Sequence, residues 1–429
     1  MDIFRIEGPV RLSGSVSISG SKNACLPIMA AAILGGGNSV IKNPPRLSDI
    51  TVMGELLSRS GCRVSKNQNG SLCIDSAVID NPVGEYEILR KMRAGICVLG
   101  PLLARCGKAR VSMPGGCAIG DRPVDIHLRG LRELGANICI ENGYIVAEAP
   151  KGLTGREIFL GGSFGSTVLG TANVLMAATT ASGTTVIDSA ACEPEIVDLA
   201  ECLNKMGAKI RGIGSPRMVI EGVSKLGPFE HTVIPDRIEA GTFMVAAAIT
   251  ASELTLNNCR LSDMMAVAHK LRSIGVVVEP APGRDTAYND RCIVSRSAPL
   301  RPADVTTQPY PGFPTDLQAQ LMALLALAEG NSVITEKVFP DRFMHVAELN
   351  RMAANLRKEG QSVIVVGVEK LMAAPVMASD LRASAALVLA GLAAEGTTTV
   401  NRVYHIDRGY EKIEEKLNAV GAKITRQKV

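Results

Sequence analysis

Leu131-Arg-Glu-Leu-Gly-Ala-Asn-Ile138 is the phrase on which the reading of this chain turns, because the chain repeats it. It returns as Leu203-Asn-Lys-Met-Gly-Ala-Lys-Ile210, Leu271-Arg-Ser-Ile-Gly-Val-Val-Val278 and Leu417-Asn-Ala-Val-Gly-Ala-Lys-Ile424. Looser copies stand at Leu57-Ser-Arg-Ser-Gly-Cys-Arg-Val64 and Leu349-Asn-Arg-Met-Ala-Ala-Asn-Leu356. The copies recur at intervals of roughly 70 residues, a spacing that marks repeated supersecondary units. Each reads as the end of an apolar helix, a glycine (Ala353 in the fifth copy), then an aliphatic run. Glycine ends a helix by taking the left-handed conformation after its last turn. β-Branched residues then favour the extended backbone.

A second phrase alternates with the first. An Ala/Leu-rich helix runs into a short β-branched strand at Ala177-Ala-Thr-Thr-Ala-Ser-Gly-Thr-Thr-Val-Ile187 and at Val388-Leu-Ala-Gly-Leu-Ala-Ala-Glu-Gly-Thr-Thr-Thr-Val400. Related stretches fall at 30–41, 102–111, 245–256 and 321–334. Each repeat therefore holds two helices, each followed by a strand. Helices with Ala, Leu and Val all round predict burial rather than a solvent face. Six units divide as three plus three, giving two similar α/β domains. A single doubly wound sheet competes, but it would expose its helix layers to water.

The bulk numbers fit this plan. A chain of 429 residues is long enough for two domains, and 46% hydrophobic residues supply large cores. Aromatic residues are only 3%, with no Trp, so those cores must be built from Ala, Val, Leu, Ile and Met. A net charge of +4 is too balanced to point to nucleic acid or a membrane surface as partner. The 11 cysteines are scattered and form no CxxC pair, which speaks against zinc and for a reducing, cytoplasmic setting. The first residues lack a signal-peptide pattern, and the apolar run at 383–394 is too short to span a bilayer.

The candidate chemistry lies at the ends of elements. Residues 113–127, Met-Pro-Gly-Gly-Cys-Ala-Ile-Gly-Asp-Arg-Pro-Val-Asp-Ile-His, hold one thiol, Cys117, between glycines and prolines that neither helix nor strand continues through. The stretch reads as a connecting turn with an incidental cysteine, or as a loop that changes shape. At Ser17-Ile-Ser-Gly-Ser-Lys-Asn-Ala24 a strand gives way to a helix predicted from about Leu26. Free N–H groups, the helix dipole and Lys22 would hold an anion there, or Lys22 is a plain surface lysine beside an N-cap. Arg93 opens a helix against its dipole. Glu193-Pro-Glu195 and Pro235-Asp-Arg-Ile-Glu239 read as capped helix starts. Pro309-Tyr-Pro-Gly-Phe-Pro-Thr-Asp316 delivers Asp316 to the head of an apolar helix, where an N-cap role would account for it. Arg382 and Arg408 are expected in loops just before helices. With Lys22, Arg93 and Arg122 they make five cations that repeats could bring together on one multiply charged anion.

Ser-Gly-Ser-Lys-Asn at 19–23, Pro-Gly-Gly-Cys at 114–117, Arg-Pro-Val-Asp-Ile-His at 122–127, Phe-Pro-Thr-Asp at 313–316, Asp-Leu-Arg-Ala-Ser at 380–384 and His-Ile-Asp-Arg-Gly-Tyr at 405–410 run in order over the whole chain. In these the chain resembles the enolpyruvyl transferases of the EPSP synthase family, and within it those acting on UDP-N-acetylglucosamine. The resemblance implies two inverse, inside-out α/β barrel domains, each of three βαβαββ-like repeats with buried helices. One would span 22–233; the other would join 1–21 to 234–429. The implied reaction moves the enolpyruvyl group of phosphoenolpyruvate to the 3′-hydroxyl of UDP-N-acetylglucosamine and releases phosphate, a committed step of peptidoglycan synthesis. The implied partners are these two small molecules, with no metal and no cofactor.

The resemblance also implies residue roles. Lys22, Arg122 and Arg408 would grip phosphoenolpyruvate, with Arg93 and Arg382 adding charge. Asn23 would position the sugar nucleotide, and Asp316 would take the proton of the attacking hydroxyl. Cys117 would be a lid thiol and proton donor, open to epoxide phosphonates such as fosfomycin. Arg122, Pro123, Val124, Asp125, Ile126, Val338 and Arg342 would contact the UDP-sugar. The uridine-side loop departs from the family pattern. Ungapped counting from Glu193 places its contacts at Ser166, Thr167 and Val168; matching Ser-Phe-Gly at 163–165 needs a four-residue insertion. Two alternatives stand beside this reading: transfer to another acceptor such as shikimate 3-phosphate, and a silent UDP-sugar-binding regulator. The sequence leaves oligomeric state open.

Overall fold

The computed structural model describes residues 2–114, 124–281 and 291–428. They divide into two compact units: residues 20–114 with 124–234, hereafter the Lys22 unit, and residues 2–19 with the described part of 235–428, the Asp316 unit.

The repeated phrases become structure where their local chemistry says they should. After the first-phrase helices, Gly61, Gly135, Gly207, Gly275 and Gly421 all have φ between 95° and 109°, and Ala353 takes 65° in the remaining copy. That backbone is strained for any residue with a Cβ, so glycine holds five of the six positions.

Among the described residues the strands assemble into six four-stranded sheets of one plan. In the Lys22 unit, Val83–Gly84 runs parallel to Lys108–Ser112, which pairs antiparallel with Tyr144–Glu148, which pairs with Asn137–Glu141. Glu157–Phe159, Thr184–Asp188, Arg217–Glu221 and Lys209–Arg211 repeat it. So do Glu230–Thr232, Asn38–Lys42, Leu72–Asp75 and Arg63–Lys66, the last strand of the unit thus returning to its first repeat. In the Asp316 unit the N-terminal residues complete two sheets. Ser13–Ser17 lies parallel to Glu253–Asn257. Asp2–Gly8 fills the place between Gly396–Asn401 and Ile424–Lys428.

The helices sort by phrase. Second-phrase helices are buried over most of their surface, Arg105 at the end of one being exposed: Lys22–Gly35, Leu99–Cys106 and Val168–Ala178 pack on one another in the Lys22 unit. Arg237–Ile249, Gln318–Leu325 and Leu381–Ala393 do so in the Asp316 unit. Their small and aliphatic side chains let three helices meet closely, and each buried Leu, Ile or Val is worth ~1.5–3 kcal/mol. First-phrase helices are amphipathic instead. Ser48–Arg59 buries Ile50, Met53, Leu56 and Leu57 and turns Thr51, Glu55 and Arg59 to solvent. The strands alternate buried and exposed residues, as sheets with one wet face must. Helices inside and sheets outside is the inside-out arrangement. No helix of the described residues is long and apolar enough to cross a membrane.

Candidate active site

In the Lys22 unit the first core helix starts at Lys22, four residues before the expected Leu26. Ser21 sets the start, its Oγ accepting the Ala24 N–H at 3.3 Å. Gly20 is obligatory just before it, since a Cβ there would lie 1.8 Å from the Asn43 carbonyl oxygen. Lys22 is not a surface lysine. Its side chain is 11% exposed, and Nζ pairs with Asp49 Oδ2 at 3.2 Å. Asp49 is itself buried in the first turn of Ser48–Arg59. Sequence reasoning missed Asp49, whose only signal was an acidic residue at a helix start. Asn23 is half-buried beside Lys22.

Arg93 opens the 3-10 segment Arg93–Val98, which packs on the Lys22–Gly35 helix. One buried side chain organises this region. Asn173 Nδ2 donates to Ile96 O at 2.9 Å, and Asn173 Oδ1 accepts from Gly100 N at 2.8 Å. The second hydrogen of Nδ2 points to His127 Nδ1 at 2.9 Å, which makes Nδ1 the acceptor of a neutral ring. Burial first, and then the Arg93 guanidinium, push His127 down to about 4, against a smaller opposing pull from Asp125. His127 thus stands neutral beside a cation.

Val124 is buried at the entrance to Asp125–Glu133, and Asp125 and Ile126 form that helix's first turn. Ile126 lies against the loop of uncertain alignment: a Cβ on Gly162 would be 2.6 Å from Ile126 Cδ1. Arg129 Nη2 binds the Gly161 carbonyl of the same loop at 2.8 Å. Thr167 has a structural task there, capping Val168–Ala178 by accepting the Gly170 N–H at 3.2 Å. Ser166 and Val168 are half-buried on either side, and Phe164 is exposed. Cys117, Arg122 and Pro123 lie outside the described residues.

In the Asp316 unit the N-cap reading of Asp316 is overturned. It lies in the 3-10 turn Thr315–Leu317, where no side chain makes a capping bond. Its Oδ1 meets Arg342 Nη1 at 2.9 Å and Arg382 Nε at 3.4 Å. Arg342 Nη1 also binds Thr315 Oγ1 at 3.1 Å, and Thr315 donates to Glu336 Oε2 at 2.9 Å. Glu336 is fully buried, and its other oxygen accepts from Thr307 Oγ1, Val338 N and Phe339 N. One carboxylate therefore fixes Val338 and, through Thr315, both Asp316 and Arg342. Sequence reasoning passed over Glu336, which carries no motif.

Arg382 is not in a loop but in the first turn of Leu381–Ala393, a helix capped by Asp380 through the N–H groups of Arg382 and Ala383. Burial opposes its charge, but Tyr410, Asp316 and Asp236 outweigh that and its pKa rises. Arg408 likewise is not in a loop; it closes the 3-10 segment Val403–Arg408, which packs on the same core helix. Of the acidic residues read as caps, Glu193 makes no side-chain capping bond to its helix, and Glu239 instead accepts from the Ser19 N–H at 2.7 Å and from Lys416. Asp236 is a true cap, accepting from Ile238 N and Glu239 N.

Each unit thus presents charged side chains at the heads of core helices, Lys22 in one and Asp316 and Arg382 in the other, with Asp49 and Arg93, and Arg342 and Arg408, on other elements of the same unit. The comparisons with known proteins follow the same lines. The family model described as EPSP synthase (3-phosphoshikimate 1-carboxyvinyltransferase) matches residues 6–417. A UDP-N-acetylglucosamine 1-carboxyvinyltransferase of Methylacidiphilum infernorum is 53% identical over 99% of both chains. One from an Anaeromyxobacter species is 52% identical over the full length of both. Among solved structures, the enolpyruvyl transferase NikO from Streptomyces tendae superposes with a TM-score of 0.89 at 25% identity, over 100% of this chain and 99% of that one. An EPSP synthase from Acinetobacter baumannii, at 18% identity and a TM-score of 0.75 over both whole chains, shares the fold. The inside-out repeats, the charged helix heads and this end-to-end similarity agree: the chain belongs to the EPSP synthase family and, within it, to the group of UDP-N-acetylglucosamine 1-carboxyvinyltransferases.

Proposed function

We propose that this protein is a cytoplasmic enzyme that transfers the enolpyruvyl group of phosphoenolpyruvate to the 3′-hydroxyl of UDP-N-acetylglucosamine, releasing phosphate, in the synthesis of peptidoglycan. The observation that carries the reading is the end-to-end identity of half the chain with transferases of that name. The held geometry of Asp316 supports it: a carboxylate at a core-helix head, aimed by two arginines.

Phosphoenolpyruvate carries a phosphate and a carboxylate close together, so binding needs several cations already in place. Lys22, Arg93, Arg122, Arg382 and Arg408 supply them. Arg342, Val338, Asn23 and the 122–126 and 166–168 segments hold the sugar nucleotide. Protonation of the phosphoenolpyruvate methylene, with Cys117 as donor, leaves an oxocarbenium-like carbon. The sugar hydroxyl adds to that carbon while Asp316 takes its proton. The carbon–oxygen bond to phosphate then breaks and a proton leaves the methyl group, restoring the double bond as an enol ether. A lid bearing Cys117 would keep water from the intermediate.

Phosphate release tests the reading. Purified protein with phosphoenolpyruvate and UDP-N-acetylglucosamine releases phosphate, and omission of the sugar nucleotide abolishes release. Equal or faster release with shikimate 3-phosphate, or none with either acceptor, would overturn it.

A further inference from the structure

We infer that the Tyr410 hydroxyl, relayed through Thr242 and Gln320, positions the Asp316–Arg382 pair for turnover; this rests on the function proposed above. Nothing in the motifs singles out Thr242 or Gln320, yet they meet Tyr410 in one buried cluster. Tyr410 Oη lies 2.9 Å from Thr242 Oγ1 and 3.1 Å from Gln320 Nε2. All three residues are buried, at 1% exposure or less. Gln320 Nε2 gives one hydrogen to the Asp316 carbonyl oxygen at 3.0 Å and turns the other to Tyr410 Oη, with Thr242 Oγ1 sharing it at 3.2 Å.

The direction of the hydrogen bonds follows from counting protons. Thr242 has one, and it goes to the Ile238 carbonyl oxygen at 2.9 Å, one turn back in its own helix. Thr242 Oγ1 must then accept from Tyr410. The Tyr410 oxygen, its own proton committed, accepts in turn from Gln320 and from the Arg382 guanidinium. Burial pushes the Tyr410 phenol up, which keeps that proton in place. Bonds aligned head to tail in a dry interior strengthen one another.

This chain joins all three core helices of the unit. Thr242 stands on Arg237–Ile249, Gln320 on Gln318–Leu325 and Arg382 on Leu381–Ala393. Tyr410 follows two residues after Arg408. The outcome is an oriented guanidinium. Nε faces Asp316, one edge is held by Tyr410, whose ring centroid is 5.4 Å from Cζ, and Nη1 is buried with no partner among the described residues. A planar fork so held has one open donor, and a small rotation would both misdirect it and loosen Asp316. Tyr410 touches no reacting atom in this scheme; it is a positioning residue.

The test is steady-state phosphate release by the full-length protein with Tyr410→Phe, Thr242→Val, Thr242→Ser and Arg382→Lys, alongside thermal melts. Wild-type turnover separates failure of the functional reading from failure of this one. Tyr410→Phe and Thr242→Val each lower kcat at least tenfold, with KM for UDP-N-acetylglucosamine within about twofold. Melting temperatures stay within a few degrees, and Thr242→Ser restores most of what Thr242→Val loses. Tyr410→Phe costs little further when Arg382 is already lysine, because the two act as one unit. Full kcat in Tyr410→Phe, additive losses in the double variant, or kcat losses that track loss of melting temperature would overturn the inference.

Discussion

Lowering the pH from 7 to 5 should weaken the Asp316 unit, with His345 as a main contributor. The imidazole opens the helix His345–Arg351, is 1% exposed, and has no hydrogen-bond partner at Nε2 among the described residues. Burial holds it down at about 4 against the ordinary 6.5, with Arg342 adding to the fall and Asp380 opposing it. Above the unfolded value both states carry a neutral ring and nothing is lost. As pH drops below 6.5 the unfolded chain takes up a proton that the folded chain refuses, so stability falls until about pH 4. Between pH 7 and 5 the two values give a loss of about 2 kcal/mol from this residue. His345→Leu removes the titrating group and the unpartnered nitrogen together. Urea unfolding of both proteins at pH 7 and pH 5 should show wild type losing about 2 kcal/mol more than the variant. The comparison cancels the common contributions of His127 and His405, which shift the same way. Parallel pH dependence in the two proteins would refute the reasoning, as would an imidazole NMR titration of His345 with a midpoint near 6.5.

Three further outcomes are expected. Asp316→Asn should cut the rate of phosphate release by roughly 10²–10⁴-fold, the usual range for a lost acid–base group; a loss below fivefold in initial-rate assays would remove Asp316 from that role. Glu336→Gln offers an amide NH₂ to a site whose four neighbours are all donors. It should cost about 1–3 kcal/mol in thermal unfolding and raise KM for the sugar nucleotide, as Val338 and Arg342 lose their anchor. Fosfomycin should add once to the wild-type chain, and peptide mapping by mass spectrometry should find it on Cys117. An adduct on another of the 11 cysteines would break the assignment of that loop as the reactive lid.

Much of this protein was present in short-range chemistry. The left-handed stops at Gly61, Gly135, Gly207, Gly275 and Gly421 depend only on local sterics, so the repeat, its helix ends and its count could be read directly. The all-round apolar character of the second-phrase helices likewise foretold burial, since no face of them could be left in water. The anchors Lys22, Arg93, Asp316, Arg382 and Arg408 were visible as charges at element ends, with the Asn23 amide beside Lys22.

What the sequence could not supply were the partners. Asp49 lies 27 residues from Lys22, and Thr315 is 27 residues from Arg342. Gln320 is 90 residues from Tyr410, and Thr242 is 168 from it. The strand Asp2–Gly8 closes a sheet whose other members sit at the far end of the chain. Periodicity reports which face a residue takes, not which distant residue meets it there. Only closing three repeats around one trio of helices brings those segments together, and so only the tertiary structure decided that Asp316 is an arginine-paired carboxylate and not a helix cap.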